Sequence, residues 1–220
     1  MAGSIIAICS WKGGCGKTTL CTALAVNLAA ARYRVAVIDA DPNQAFATWH
    51  KIAEAPSLTV TSCIDHNEIV PHAAAQAENH DVTLIDTAGF ANQTAVFAIG
   101  AADLVLIPAM PDRNSVLEAR KTARQVDSVG QIARRPIPYR IVLSRWDPRG
   151  LSERAAVEDL EGSGLPRLSW YLSDLSAYQK YTFSGVMPHT GVVAIQVRRL
   201  IEEIVGLGAI APKPAEKALA

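Results

Sequence analysis

Residues close to the start of the chain have the types and spacing that bind phosphate. They follow an apolar run in the order Lys12-Gly13-Gly14-Cys15-Gly16-Lys17-Thr18-Thr19. Glycines there let consecutive backbone N–H groups converge on phosphate oxygens at a helix N-terminus. We expect Lys17 to reach the β- and γ-phosphates, Thr18 to ligate Mg²⁺ and Thr19 to bond near the α-phosphate. A glycine-rich turn without a ligand is the alternative, which the lysine and threonines in register disfavour.

Carboxylates follow two later apolar runs. Asp39 and Asp41 lie in VIDADPNQ, and Asp86 lies in VTLIDTAG. Open α/β sheets place catalytic residues at the carboxyl ends of strands. Asp86 is expected to bond a Mg²⁺-bound water, and Gly89 to bring its N–H to the γ-phosphate because it has no side chain. The Asp-Pro-Asn sequence that begins at Asp41 is also compatible with a plain turn, so the roles of the single carboxylates stay open.

Strands and helices must position these groups. Short β-branched apolar runs recur, each followed by a helix-like stretch: SIIAICS, RVAVIDA, DVTLIDT, ADLVLIPA and PYRIVLS, with a weaker last run at 168–172. The rhythm predicts a doubly wound α/β fold, a mostly parallel sheet with helices on both faces. We predict one domain over residues 1–206, whose last helix spans about 192–205, and a disordered tail over residues 207–220.

Composition narrows the class of protein. The 220 residues are 50% hydrophobic and 19% charged, and 21 Lys and Arg balance 21 Asp and Glu, which gives a formal charge of +0. No global field therefore attracts nucleic acid or an anionic membrane. The four cysteines lack the C-x-x-C spacing of metal ligands, and no apolar stretch approaches the length of a membrane span. A reduced, cytoplasmic protein is expected.

The loop KGGCGKTT resembles the deviant Walker A motif of the ParA/MinD family of partition and positioning ATPases. Trp11 stands where the strict phosphate-loop pattern has glycine, and Lys12 opens the loop as the family's signature lysine does. The two acidic runs match the family in order and spacing. The resemblance covers about residues 4–206 and is closest to short plasmid-type ParA proteins without an N-terminal helix-turn-helix.

The resemblance implies an ATPase that works as a homodimer with ATP and Mg²⁺. Lys12 would reach the phosphates of the partner subunit's nucleotide, where it supplies positive charge to the transition state. Asp39 would lie near the water shell of the metal, and Asp41 would orient the attacking water. Ala88 stands where the family more often has proline, and this change removes no ligand.

The run IVLSRWDPRG resembles the family's adenine loop. Ser144, Arg145 and Pro148 are the implied base contacts, although many relatives carry asparagine at the position of Ser144. The neighbouring Trp146 is at least as compatible with packing as with stacking on the base.

DNA is the partner that the resemblance implies for the ATP dimer, bound without sequence preference on the nucleoid. Residues 112–154 hold ten basic and five acidic residues, which is compatible with a phosphate-binding surface or with scattered solvated arginines. Arg134, Arg135 and Lys180 are the candidate contacts. Leu175 stands where relatives commonly place an arginine, which argues against DNA. The tail lacks a basic amphipathic helix, so membrane attachment is not expected.

Three hypotheses follow from the sequence. The first is a positioning ATPase whose hydrolysis is stimulated by a ParB-like activator protein on a plasmid, a chromosome locus or another cargo. The second is an adaptor in which nucleotide only locks a dimer, which would hold if Asp41 is not catalytic. The third is a metabolic or redox relative, which is disfavoured because no suitable cysteine pair could hold an iron–sulfur cluster between subunits.

Overall fold

The strands form one parallel sheet. The computed structural model describes residues 2–53, 57–89 and 93–213. The strands within these ranges are β1 (Ser4–Ile8), β2 (Val35–Ala40), β3 (Leu58–Ser62), β4 (Val82–Thr87), β5 (Leu104–Ala109), β6 (Tyr139–Trp146) and β7 (Arg167–Ser173). Their order across the sheet is β3-β2-β4-β1-β5-β6-β7, and each pairing is parallel. The predicted parallel sheet is confirmed.

Helices connect the strands and cover both faces of the sheet. They are α1 (Lys17–Ala30), α2 (Ala45–Ala53), α3 (His66–Asn79), α4 (Gln93–Ala101), α5 (Arg113–Ala133), α6 (Leu151–Gly162), α7 (Ala177–Ser184) and α8 (Gly191–Gly206). In the described parts of the chain, none of them combines the length and apolarity that crossing a membrane would need.

Successive residues from Ile6 to Cys9, in β1 and directly after it, pack into different apolar clusters. Ile6 and Ile8 are buried with residues of α1, α2, α7 and α8. Ala7 and Cys9 are buried with residues of α3, α4, α5 and α6. Side chains alternate between the faces of a strand, so the two clusters are the two sides of a sheet covered by helices. The doubly wound arrangement is thereby confirmed.

One strand was missed by the sequence analysis. The run LTVTS forms β3, which pairs only with β2 and is therefore an edge strand. Its threonines alternate with apolar residues, and only Leu58 is buried. A half-exposed edge strand needs no continuous apolar run, so it lacks the pattern on which the other strands were recognised.

The segment after α8 packs onto the domain, which corrects the predicted start of the disordered tail at residue 207. Ala209 and Ile210 are buried in the cluster that contains β1 Ile6. The Tyr33 hydroxyl donates to the carbonyl of Ala211 (3.2 Å) and accepts from the N–H of Lys213 (3.1 Å). Residues 214–220, the rest of the predicted tail, lie outside the described residues.

We expect Ile210→Ala to lower the free energy of unfolding by about 2–4 kcal/mol, because Ile210 is 1% exposed and its removal leaves a cavity. Leu207→Ala is the matched control: Leu207 is 43% exposed, and we expect a change within about 0.5 kcal/mol. Urea denaturation followed by circular dichroism measures both values. Equal, small losses in the two variants would contradict the packing of this segment.

Candidate nucleotide site

A cavity of about 610 Å³ opens at the carboxyl edge of the sheet. β1 lies between β4 and β5 in the sheet. The connection after β1 leads to β2 on one side of it, whereas the connection after β5 leads to β6 on the other side, so the direction of the strand order reverses here. Open α/β sheets bind ligands in the crevice that forms at this point. Ten residues proposed from the sequence line the cavity: Gly13, Gly14, Gly16, Lys17, Thr18, Thr19, Asp41, Gly89, Ser144 and Arg145.

The phosphate loop owes its shape to glycine at two positions. Gly14 and Gly16 have φ angles of 72° and 97°, in the left-handed region that side chains disfavour. A Cβ on Gly16 would also lie 2.8 Å from the hydroxyl of Ser144. The loop therefore leads directly into α1 at Lys17, whose ammonium donates to the carbonyl of Lys12 (3.2 Å).

Gly89 brings the loop after β4 against the phosphate loop. A Cβ at this position would lie 3.1 Å from the backbone nitrogen of Gly13 and 3.4 Å from the ammonium of Lys17. Only a residue without a side chain allows this approach unless the neighbours shift. This approach is compatible with the contact predicted between Gly89 and the γ-phosphate, which stays a prediction.

Asp39 and Asp41 have different positions. Asp39 is buried and does not line the cavity: its carboxylate accepts from the N–H groups of Asp41 (3.1 Å) and Ala47 (2.9 Å). Burial raises the pKa of Asp39, and these backbone hydrogen bonds oppose the rise. Asp39 thus fixes the loop that presents Asp41, and its expected place near the metal's water shell stays a prediction.

Asp41 lines the cavity and also shapes a turn. Its Oδ1 accepts from the backbone N–H of Asn43 (2.8 Å) and from the Asn43 side-chain amide (3.0 Å). The turn and the functional interpretation of this segment are therefore compatible. A carboxylate with one oxygen bound in the turn keeps its other oxygen for a second acceptor role.

Asp86 is a buried carboxylate without a protein hydrogen bond to either oxygen in the described part of the chain. It lies at the end of β4, where its Cα pairs with that of Asp39 on β2. Burial raises the pKa of Asp86 to about 7; the nearby Thr18 hydroxyl and Lys17 ammonium lower it, and the charge of Asp39 raises it. An isolated buried carboxylate of this kind is stabilised by a cation.

The donor set fits Mg²⁺. Thr18 lies at the cavity wall with its hydroxyl close to Asp86, and both groups supply the oxygen ligands that Mg²⁺ prefers. Thr18 would hold the ion directly, and Asp86 would bond a water of its shell. Among the described residues no group of three His, Cys, Asp or Glu side chains forms a metal cage. A site with few protein ligands is usual for Mg²⁺ that also binds phosphates.

Besides Asp39 and Asp86, three nucleotide-site residues proposed from the sequence do not line the cavity. Lys12 turns away from it, and its ammonium pairs with Asp112 at 2.7 Å. Cys15 is buried under the loop and its thiol donates to the carbonyl of Lys12 (3.2 Å). Pro148 lines a separate cavity beside Trp146. Pro148 is thus corrected from a base contact to a residue of the α6 side, and Trp146, 4% exposed, is a packing residue.

The sequence analysis missed one wall of the cavity. Residues from the end of β7 into α7 form it: Leu172, Ser173, Asp174, Leu175, Tyr178 and Gln179. Leu175 was considered only as an obstacle to DNA binding, and it lies here instead. The available signal was the weak run at 168–172: if it is a parallel strand, its carboxyl end must face the same edge as the phosphate loop.

Aromatic contacts connect this wall to the loop of Asp41. The Trp49 ring in α2 meets the rings of Phe46 (5.4 Å between centroids) and of Tyr181 in α7 (5.9 Å), both edge to face. Gly185 ends α7 with a φ of 70°, and a Cβ there would lie 2.7 Å from the carbonyl oxygen of Ile52. The contacts between α2 and α7 therefore join the loop of Asp41, which precedes α2, to the cavity wall formed by the end of β7 and α7.

The proposed DNA contacts do not form one surface. Arg134 is exposed at the end of α5, and α5 runs from the carboxyl edge to the amino edge of the sheet. Arg135 donates to the carbonyls of Gly100 (2.7 Å) and Ala102 (2.9 Å), which makes it a structural residue and corrects its assignment to DNA. Lys180 is exposed on α7 at the carboxyl edge.

The fold and the cavity define a phosphate-loop nucleotide-binding protein. Residues 6–188 match the family described as "CobQ/CobB/MinD/ParA nucleotide binding domain". The match covers most of the chain, and the protein belongs to this family. The expected relationship to ParA and MinD is confirmed.

Individual relatives agree with the family. The chain is 29% identical over 189 residues to "Maintenance of carboxysome distribution protein A" of Halothiobacillus neapolitanus, covering 82% of this chain and 84% of that protein. It superposes on a Cyanothece McdA–ATP complex with a TM-score of 0.77 and 16% identity, over 97% and 99% of the chains. The Mg-ADP complex of MinD from Pyrococcus horikoshii gives 0.77 and 17%, over 96% and 100%.

We expect Asp86→Asn to stabilise the nucleotide-free protein at pH 8 by about 2–4 kcal/mol. The folded carboxyl has a raised pKa of about 7, so it keeps its proton to higher pH than the unfolded chain does. The contribution of this carboxyl group to the free energy of unfolding is therefore fully present below about pH 4, and it is lost as the pH rises to about 7. The neutral amide has no such loss.

Urea denaturation without Mg²⁺, at several pH values from 5 to 8, measures the difference between the variant and the wild type. The difference in the free energy of unfolding should grow as the pH rises and should level off above about pH 7. The same variant should gain less stability than the wild type from added Mg²⁺ and ATP. A variant that is less stable than the wild type at pH 8 would contradict the burial of an unpartnered charge.

Proposed function

We propose that this protein is a Mg²⁺-dependent ATPase that positions or segregates a large cargo and acts as an ATP-bound homodimer. The cavity at the carboxyl edge of the sheet is the observation that supports this proposal most directly. Lys17, Thr18, Gly89 and Asp41 line one cavity, and Asp86, close to Thr18, has no hydrogen-bond partner among the described residues. In the proposed reaction these residues would supply a phosphate cradle, a metal ligand, a γ-phosphate contact and a carboxylate for the attacking water.

The residues divide the reaction among them. The N–H groups of the loop and the Lys17 ammonium hold the β- and γ-phosphates, which places the leaving group on a rigid helix end. Thr18 and Asp86 would hold Mg²⁺, which would supply positive charge beside the phosphates. Asp41 accepts a hydrogen bond from water and orients it, because Asp39 fixes the backbone of its loop. The Gly89 N–H would contact the terminal phosphate beside Lys17.

Lys12 would complete the site from the second subunit. In a dimer that sandwiches two nucleotides, its ammonium would meet the phosphates of the partner's ATP and stabilise the transition state. Its position supports this role, because it does not line the cavity of its own subunit. Ser144 and Arg145 would lie beside the base, together with the wall formed by β7 and α7.

The names of two relatives indicate the kind of cargo that we propose for this protein. The Halothiobacillus neapolitanus protein is named for carboxysome distribution, and a Rhizobium radiobacter relative is named ParA. We propose that the ATP dimer binds nucleoid DNA without sequence preference in the cytoplasm. A ParB-like activator protein on the cargo would stimulate hydrolysis and release the dimer, so that cycles of binding and release move the cargo.

The nucleotide-locked adaptor remains the second candidate, supported by the turn in which Asp41 takes part. The redox alternative is disfavoured by the cysteines. All four are free and buried, and burial raises the pKa of the Cys9 thiol to about 12, so it is a poor ligand for a cluster shared between subunits.

Lysine variants test the ATPase proposal. We expect the affinity of Lys17→Ala for ATP to fall by about a hundredfold or more, because the substitution removes the side-chain charge that faces the β- and γ-phosphates. Lys12→Ala should keep ATP affinity but lose ATP-dependent dimers and most turnover. Lys121→Ala is the matched control, because Lys121 is exposed and pairs with Glu118. Calorimetry, sedimentation and phosphate release measure the three properties.

The outcomes separate the hypotheses. ATP affinity unchanged in Lys17→Ala would contradict the site. Normal ATP-dependent dimers in Lys12→Ala would exclude the trans role. Tight ATP binding and dimerisation by the wild type, with no turnover on DNA and a cargo extract, would favour the adaptor.

DNA binding is tested by a salt series with ATP, with ADP and without nucleotide. We expect binding only with ATP, and a fall of about a hundredfold or more between 50 and 200 mM salt, because each phosphate contact releases counterions. Lys180→Glu should weaken binding, since α7 borders the cavity. Arg134→Glu should affect it less, since it lies at the other edge. Equal binding in all three states would contradict a nucleotide switch.

A further inference from the structure

The side chain of Lys12 is engaged within its own subunit. Its ammonium lies 2.7 Å from Oδ2 of Asp112, and the two side chains are 20% and 41% exposed. Lys12 follows β1 and Asp112 follows β5, the neighbouring strand, so the contact joins two adjacent strand ends. The ammonium is thereby directed towards the start of α5 rather than outwards.

The backbone on both sides of this lysine is also fixed. The N–H of Lys12 donates to the Ser10 hydroxyl (3.2 Å), and its carbonyl accepts from Lys17 Nζ (3.2 Å). The Trp11 N–H donates to the Thr122 hydroxyl (3.1 Å), and the indole N–H donates to the Gln125 side chain (2.7 Å). The side chain is therefore the part of Lys12 that can move while the phosphate loop keeps its shape.

Asp112 cannot follow the lysine. It is the N-cap of α5, and its Oδ1 accepts from the backbone N–H of Ser115 (2.8 Å). The Ser115 hydroxyl in turn accepts from the N–H of Met110 (2.8 Å). One carboxylate oxygen thus caps the helix while the other holds the ammonium, so Lys12 must leave Asp112 before it can contact another molecule.

We infer that Asp112 is a positioning residue for the ATPase cycle, because it holds Lys12 in the monomer and releases it only to a partner's nucleotide phosphates. This rests on the proposed trans role of Lys12. The pair is partly exposed, and pairs of this kind are weak enough to be exchanged. Triphosphate oxygens carry more negative charge than one carboxylate, whereas those of ADP lack the γ-phosphate. The contact therefore raises the concentration at which dimers form and favours dimers that contain ATP.

Asp112→Asn isolates the charge. Asparagine is an equally good N-cap and has nearly the same shape, so α5 keeps its start. We expect this variant with ATP and Mg²⁺ to dimerise at about three- to tenfold lower protein concentration than the wild type, and to remain monomeric without nucleotide. Sedimentation equilibrium measures the dissociation constant. Asp112→Ser, which also keeps the cap and removes the charge, is a second variant with the same expected result.

Asp159→Asn is the matched control. Asp159 lies in α6 across the same groove as Asp112, where it pairs with Arg120 rather than with Lys12. Asp159→Asn changes the net charge by the same amount as Asp112→Asn, and it should leave the dissociation constant of the dimer unchanged. The double variant Lys12→Ala with Asp112→Asn should dimerise no better than Lys12→Ala alone.

Failure of this inference differs from failure of the proposed function. If Lys12→Ala loses dimers but Asp112→Asn and Asp112→Ser, folded with wild-type stability, dimerise like the wild type or more weakly, the holding role is overturned and the trans role stands. An equal gain in Asp159→Asn also overturns it, because general charge would then explain the effect. If Lys12→Ala dimerises normally with ATP, the trans role itself fails.

Discussion

Parallel pairing of β1 with both β4 and β5 is the constraint from which the site follows. Because the three strands run in one direction, the phosphate loop, the Gly89 loop and the N-cap of α5 must leave the sheet at one edge. The pairing is stable because both faces of these strands are apolar and covered by helices. Packing on two faces thus gathers polar loops that are distant in the sequence.

The same arrangement puts charge where it is least stable. Asp39 and Asp86 end neighbouring strands at paired positions, and both are buried. Backbone N–H groups satisfy Asp39, whereas Asp86 receives no hydrogen bond from the described residues, and the nearby Lys17 ammonium and Thr18 hydroxyl favour its charged form. A buried carboxylate in this state favours any cation placed beside it. Affinity for a metal-bound nucleotide is thereby obtained at the expense of the stability of the empty protein.

Much of the fold and the phosphate side of the site could be predicted from the sequence. Continuous apolar runs identify buried strands, and Gly16, Lys17 and Thr18 have a spacing that few other structures require. Edge strand β3 escaped because a strand that is exposed on one side does not need such a run. The wall from β7 to α7 escaped because its lining residues have no common chemistry, and only their position at the sheet edge unites them.

Other differences arise from tertiary contacts that no local pattern encodes. Arg135 is as basic as Arg134 in the sequence, but it lies within reach of the carbonyls at the end of α4 and is used there. Lys12 is recognisable from its motif, whereas its partner Asp112 is 100 residues away. Residues 207–213 look like a tail by composition, yet Ile210 reaches the core. Composition describes a segment, and burial depends on what lies beneath it.

The contact between α7 and α2 has a consequence for how this protein can change in evolution. Gly185 does not line the cavity, but its positive φ and its closeness to the Ile52 carbonyl leave no room for a side chain. A substitution there would separate the helix that forms the far wall from the helix that follows the Asp41 loop. The shape of the cavity therefore depends on a glycine that lies outside it, so a single substitution remote from the bound ligand is enough to disturb the site.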